Sequence, residues 1–122
     1  MFKKLDRVIL SVSDLEESVS FYQNVMGFDV TFKSSEVCTI NFGDTELVLQ
    51  PMTEELADPR PIKHGSALNF KTDDLAAACD ALKKQGAPML VAPKQGHFGM
   101  YAQFVDPDGR IISISERKKS GG

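Results

Sequence analysis

Val8-Ile9-Leu10-Ser11-Val12-Ser13-Asp14-Leu15 and Leu68-Asn69-Phe70-Lys71-Thr72-Asp73-Asp74-Leu75 stand 60 residues apart and share one design. Each is a short strand followed by an acidic residue able to cap a helix. Ser13 or Asp14 offers a side-chain oxygen to the first helical N–H groups, and Asp73 or Asp74 does so in the second copy. Apolar stripes then follow at helical spacing: Leu15, Val19, Tyr22 and Met26 in the first copy, Leu75, Cys79 and Leu82 in the second. Gly27 and Gly86 end the two helices.

Strand-like runs come next, at about 28–33, 36–42 and 45–50, and again at about 88–92, 99–105 and 110–116. Phe42-Gly43-Asp44-Thr45 and Asp106-Pro107-Asp108-Gly109 read as the turns joining the last two strands of each half. The fold class expected is therefore α+β, two pseudo-repeated βαβββ modules at about 5–50 and 65–117. Residues 51–64, with Pro51, Pro59 and Pro61, read as a linker. Two copies of such a unit are too few for a solenoid. A chain of 122 residues suits one domain, here 1–122, with a core that needs no disulfide or metal.

The formal net charge of −3 argues against a nucleic-acid partner, which needs a basic face; it is compatible with a cationic or polar small ligand but too small to decide for one. Cys38 and Cys79 lie in apolar patterns and outside any CxxC motif, so both read as buried thiols. No apolar run reaches the ~18 residues of a membrane span, and no signal peptide is visible. A reducing cytoplasm is the expected location.

Strand parity assigns the side chains. Val8, Leu10 and Val12, then Leu47 and Leu49, Leu68 and Phe70, and Ile112 and Ile114 form the helix-packed faces. The opposite faces mix apolar residues with Arg7, Ser11, Glu46, Gln50, Asn69, Lys71, Ser113 and Ser115. Such a face is either a solvated sheet side or the wall of a small-ligand cavity.

The stretch from Val8 to Val30, with its Ser13-Asp14-Leu15-Glu16 helix start, Phe21-Tyr22 pair and Met26-Gly27-Phe28 helix end, resembles the vicinal-oxygen-chelate superfamily of glyoxalases, bleomycin-resistance proteins and extradiol dioxygenases. Residues 68–87 resemble its second-half counterpart, and residues 104–116 its closing hairpin. The resemblance implies curled sheets around a pocket, and homodimers. In module one the implied pocket residues are Arg7, Ile9, Ser11, Glu46, Val48 and Gln50. In module two they are Ala67, Asn69, Lys71, His97, Ile111 and Ser113.

The resemblance also places the family's metal-ligand positions on Arg7, Val48, Ala67 and Ser113, which offer no ligand set. Arginine has no lone pair to give, alanine and valine have no donor, and a lone serine hydroxyl is weak. No metal and no cofactor are therefore expected. The implied function is metal-independent small-molecule binding, of the kind by which that family's binding branch sequesters an antibiotic or metabolite. The alternative is a glyoxalase-like lyase or isomerase, or a dioxygenase-related enzyme, with a non-standard site. Glu46 is then the candidate base, with Arg7 or His97, the latter in a glycine-flanked loop, as its electrophilic partner; His64, beside Gly65, is the weaker histidine.

Overall fold

The computed structural model describes residues 1–52, 67–97 and 99–116. The chain divides into two compact units, Met1–Arg60 and Pro61–Gly122. Each unit builds one four-stranded mixed sheet with a helical element against it. The protein is thus α+β, with two pseudo-repeated modules.

In the first unit, β1 (Arg7–Val12) leads into α1 (Leu15–Ser20) and a wider π-helical turn (Phe21–Val25). β2 (Val30–Lys33), β3 (Cys38–Asn41) and β4 (Glu46–Pro51) complete the sheet in the order β1-β4-β3-β2. β1 and β4 run parallel, with Arg7 opposite Glu46 and Ile9 opposite Val48. The second unit repeats this plan with β5 (Ala67–Thr72), α2 (Leu75–Lys84), β6 (Met89–Gly96), β7 (Gly99–Val105) and β8 (Ile111–Glu116), in the order β5-β8-β7-β6. Here Ala67 faces Ile111 and Asn69 faces Ser113 across the parallel pair. His64 and most of the expected linker lie outside the described residues; Pro51 is the last residue of β4.

The helix starts resolve in favour of the second residue of each candidate pair. Asp14 Oδ1 accepts the Glu17 N–H at 3.1 Å, and Asp74 Oδ1 accepts the Ala77 N–H at 3.0 Å. Each satisfies a backbone donor that has no partner within its helix. At the end of α2, Gly86 takes φ +81° while the Ala87 N–H reaches back to the Leu82 carbonyl at 3.0 Å. That reversal needs the left-handed region, which glycine enters without steric cost.

Two expectations need correction. The stripe Leu15, Val19, Tyr22, Met26 predicts one continuous α-helix, but the coil widens after Ser20, and the Met26 N–H bonds the Phe21 carbonyl five residues back. Widening brings Ser18, Val19, Phe21 and Tyr22 all into the interior, more than a 3.6-residue stripe would bury. The Phe21 and Tyr22 rings meet edge to face at 5.0 Å. Second, β6 continues past the expected 92 to Gly96, through Pro93. Proline lacks the N–H of a ladder, but β6 is an edge strand, and its pairing slips between Val91 and Lys94.

Each core lies between helix and sheet, on the face that parity predicts. In the first unit Leu10, Val12, Cys38, Ile40, Leu47 and Leu49 are buried with Val19; in the second, Ala102, Phe104, Ile112 and Ile114 are buried with Leu75, Cys79 and Leu82. Both thiols are buried and unbridged, and desolvation pushes both upward in pKa.

Candidate functional site

The second unit's sheet carries a cavity of about 470 Å³. Apart from Gly96 and His97, its wall comes from odd-numbered strand positions, the face turned away from the core residues Phe104, Ile112 and Ile114. One cross-strand row sets Asn69, Ser113 and Gln103 side by side. The next row sets Ser115 beside Tyr101. Gly96, His97 and Gly99, at the β6–β7 hairpin end, complete the lining.

Two serines form the buried part, at 9% exposure for Ser113 and 5% for Ser115. Asn69 Nδ2 donates to Ser115 Oγ at 3.1 Å, which orients its amide. The Tyr101 ring lies against Gly96: a Cβ there would sit 2.8 Å from Cδ1 and Cε1 of the ring. The glycine therefore admits the ring where any side chain would displace it. Lys94 Nζ stands 5.8 Å from the ring centroid, within cation–π range. Among the described residues the wall thus offers amides and hydroxyls, an aromatic ring and an imidazole, with no carboxylate.

Of the residues expected in module two, Asn69, His97 and Ser113 come together here. Ala67, Lys71 and Ile111 lie on the same sheet face, outside the lining. Tyr101, Gln103, Ser115, Gly96 and Gly99 extend the expected set. The same parity rule, applied to β7, points to Tyr101 and Gln103. The glycines and His97 depend on the length of β6.

The expected module-one residues lie on the corresponding face of the first sheet. Arg7 Nε is 3.5 Å from Glu46 Oε1 and 3.5 Å from Asp6 Oδ2. Gln50 Nε2 donates to Ser11 Oγ at 3.5 Å. Ile9, Val48, Thr39 and Phe32 form one cross-strand row, in which Ile9 and Phe32 are each more than half exposed and Val48 is buried. Glu46, the candidate base, is thus an ion-pair partner of Arg7.

The profile of the Glyoxalase/Bleomycin resistance protein/Dioxygenase superfamily matches residues 4–114. The chain belongs to this superfamily. The virulence protein STM3117 of Salmonella typhimurium is 31% identical over 121 residues, spanning 93% of this chain and 83% of that protein. A lactoylglutathione lyase of the same organism is 26% identical, spanning 97% and 96%. Among solved structures, TnmS3, an antibiotic-binding protein from Streptomyces sp. CB03234, superposes with a TM-score of 0.79 at 28% identity, covering 96% of this chain and 98% of that one.

Many enzymes of the superfamily hold a metal, so the donor set bears testing against one. The positions that the sequence resemblance assigns to the metal ligands, Arg7, Val48, Ala67 and Ser113, do not fit. Arg7 is a permanent cation engaged with two carboxylates, and Val48 and Ala67 are hydrocarbon. Among the described residues no three His, Cys, Asp or Glu side chains gather closely enough to hold an ion.

Proposed function

We propose that this superfamily member binds a small organic molecule, without a metal, in the cavity of its second module. The observation that carries the reading is the wall itself: Asn69, Gln103, Ser113 and Ser115 present uncharged donors and acceptors beside the Tyr101 ring. A concave site with a few oriented polar groups is what small-ligand recognition uses. The likeness to TnmS3, an antibiotic-binding protein at 28% identity, supports a binding role for the fold. The unsuitable donors at Arg7, Val48, Ala67 and Ser113 support metal independence.

The test is a thermal-shift screen of aromatic and polar compounds, run with a chelator present. A ligand at about 100 times its Kd stabilises the fold by about 2.7 kcal/mol, a shift of several degrees. Saturable hits that vanish in Gln103→Ala support the reading. A broad screen with no saturable shift, or hits indifferent to Gln103→Ala, rejects this cavity as the site.

The enzyme reading draws on the lactoylglutathione lyase relatives and on the Glu46–Arg7 pair. Turnover of the methylglyoxal–glutathione adduct that is lost in Glu46→Gln would establish it in place of simple binding. We further propose a homodimer, supported by the exposed Ile9 and Phe32 on the first sheet, and a cytoplasmic setting, supported by two unbridged buried thiols.

A further inference from the structure

We infer that the ligand of the second module is an amphiphilic anion, an apolar body carrying a carboxylate or similar group, held with its charge between Lys71 and Lys94. The inference rests on the binding reading above and adds the ligand's chemical class.

The argument is the register of the sheet. Lys71 pairs with Ser115, Ser115 with Tyr101, and Tyr101 with Lys94. These four residues form one row across all four strands, so two cations flank the two central residues that line the cavity. The Lys94 ammonium already stands over the Tyr101 ring, which fixes it at the cavity rim. Next comes the uncharged row Asn69, Ser113, Gln103, with Val91 beside Gln103. One row further, Ala67, Ile111 and Val105 are apolar. The face therefore grades from hydrocarbon through amide and hydroxyl to ammonium. Two residues along a strand span about 7 Å, so the full gradient covers about 13 Å.

None of these face positions carries an acid, although the chain as a whole has a net charge of −3. The local sign is opposite to the global one, and it is the local charge that a bound group meets. An anionic head suits the lysine row, accepting from the Ser115 and Tyr101 hydroxyls as well, and an apolar body suits the opposite end.

The test uses two probes of equal shape and different charge, naphthalene-2-carboxylate and naphthalene-2-carboxamide. Their affinities are measured by NMR titration of the wild type, Lys71→Gln and Lys94→Gln. Both lysines are exposed, so neither variant threatens folding, and unchanged melting temperatures check this. The carboxylate is expected to bind on the order of tenfold more tightly than the carboxamide, each variant removing roughly threefold of that preference. Raising the salt weakens the carboxylate alone. Equal affinity for both probes, or a preference that survives both substitutions, overturns the anion assignment and leaves small-molecule binding standing. If neither probe shifts the resonances of Ser113, Gln103 and Tyr101 at millimolar concentration, the amphiphilic-anion assignment is likewise overturned, and the broad screen above decides the binding reading separately.

Discussion

Asp106 shows how one side chain holds a whole turn. Its side chain is fully buried, and Oδ1 accepts the N–H groups of Asp108 at 3.0 Å and Arg110 at 2.8 Å. Oδ2 takes the Arg110 guanidinium at 2.7 Å. Gly109, at φ +82°, completes the reversal by donating to the Asp106 carbonyl. Asp106→Ala deletes three acceptor contacts and takes a carboxylate away from a cation that is itself only 12% exposed. The expected cost is about 3 kcal/mol in urea denaturation. Asp106→Asn keeps an oxygen for the two amides and should cost less, roughly 1.5 kcal/mol. A loss below 1 kcal/mol in the alanine variant would show that Pro107 and Gly109 make the turn without the carboxylate. The turn itself is readable from Asp106-Pro107-Asp108-Gly109. The burial of the carboxylate is not, because turn aspartates occur in water as readily as under a strand end.

At the scale of the element, the two helices show where pattern ends and packing begins. Both starts read as a choice between adjacent residues, and geometry selects Asp14 and Asp74. Asp74→Ala should therefore destabilise by about 1 kcal/mol, while Asp73→Ala stays within about 0.5 kcal/mol. Chemical denaturation of both variants checks this, and equal effects would mean that the cap is shared. Glu116 Oε2 also receives the Leu75 N–H at 3.4 Å, tying the end of β8 to the start of α2. A 3.6-residue stripe is a local signal, so it anticipates α2 closely and misses the widening after Ser20. There the gain from burying both Phe21 and Tyr22 overrides local geometry. The same limit applies to the cavity. Alternation gives Asn69 and Ser113 directly, and Tyr101 and Gln103 once it is carried to β7. The approach of His97 and Gly96 depends on a strand that continues through Pro93, against that residue's own signal.

At the scale of the whole molecule, membership in a superfamily with many metalloenzymes makes metal content the decisive property. A catalytic site of that kind needs about three imidazole or carboxylate ligands and an open position. At the position that the resemblance assigns to a ligand, Arg7 carries a positive charge and is paired with Glu46 and Asp6. Glu46, the one carboxylate among the expected site residues, already serves that guanidinium. The expected outcome is that untagged protein, incubated with nickel, zinc, iron and manganese and then desalted, carries far less than one ion per chain in native mass spectrometry. The same spectra count the copies in each particle and so test the homodimer. Arg7→Ala frees the Glu46 carboxylate, yet leaves Val48 and Ala67 without a donor atom, so metal content should stay near zero in that variant too. Close to one ion per wild-type chain would mean that other donors assemble a site. The enzyme reading would then displace binding, and the search for its base would begin again at Glu46 and His97.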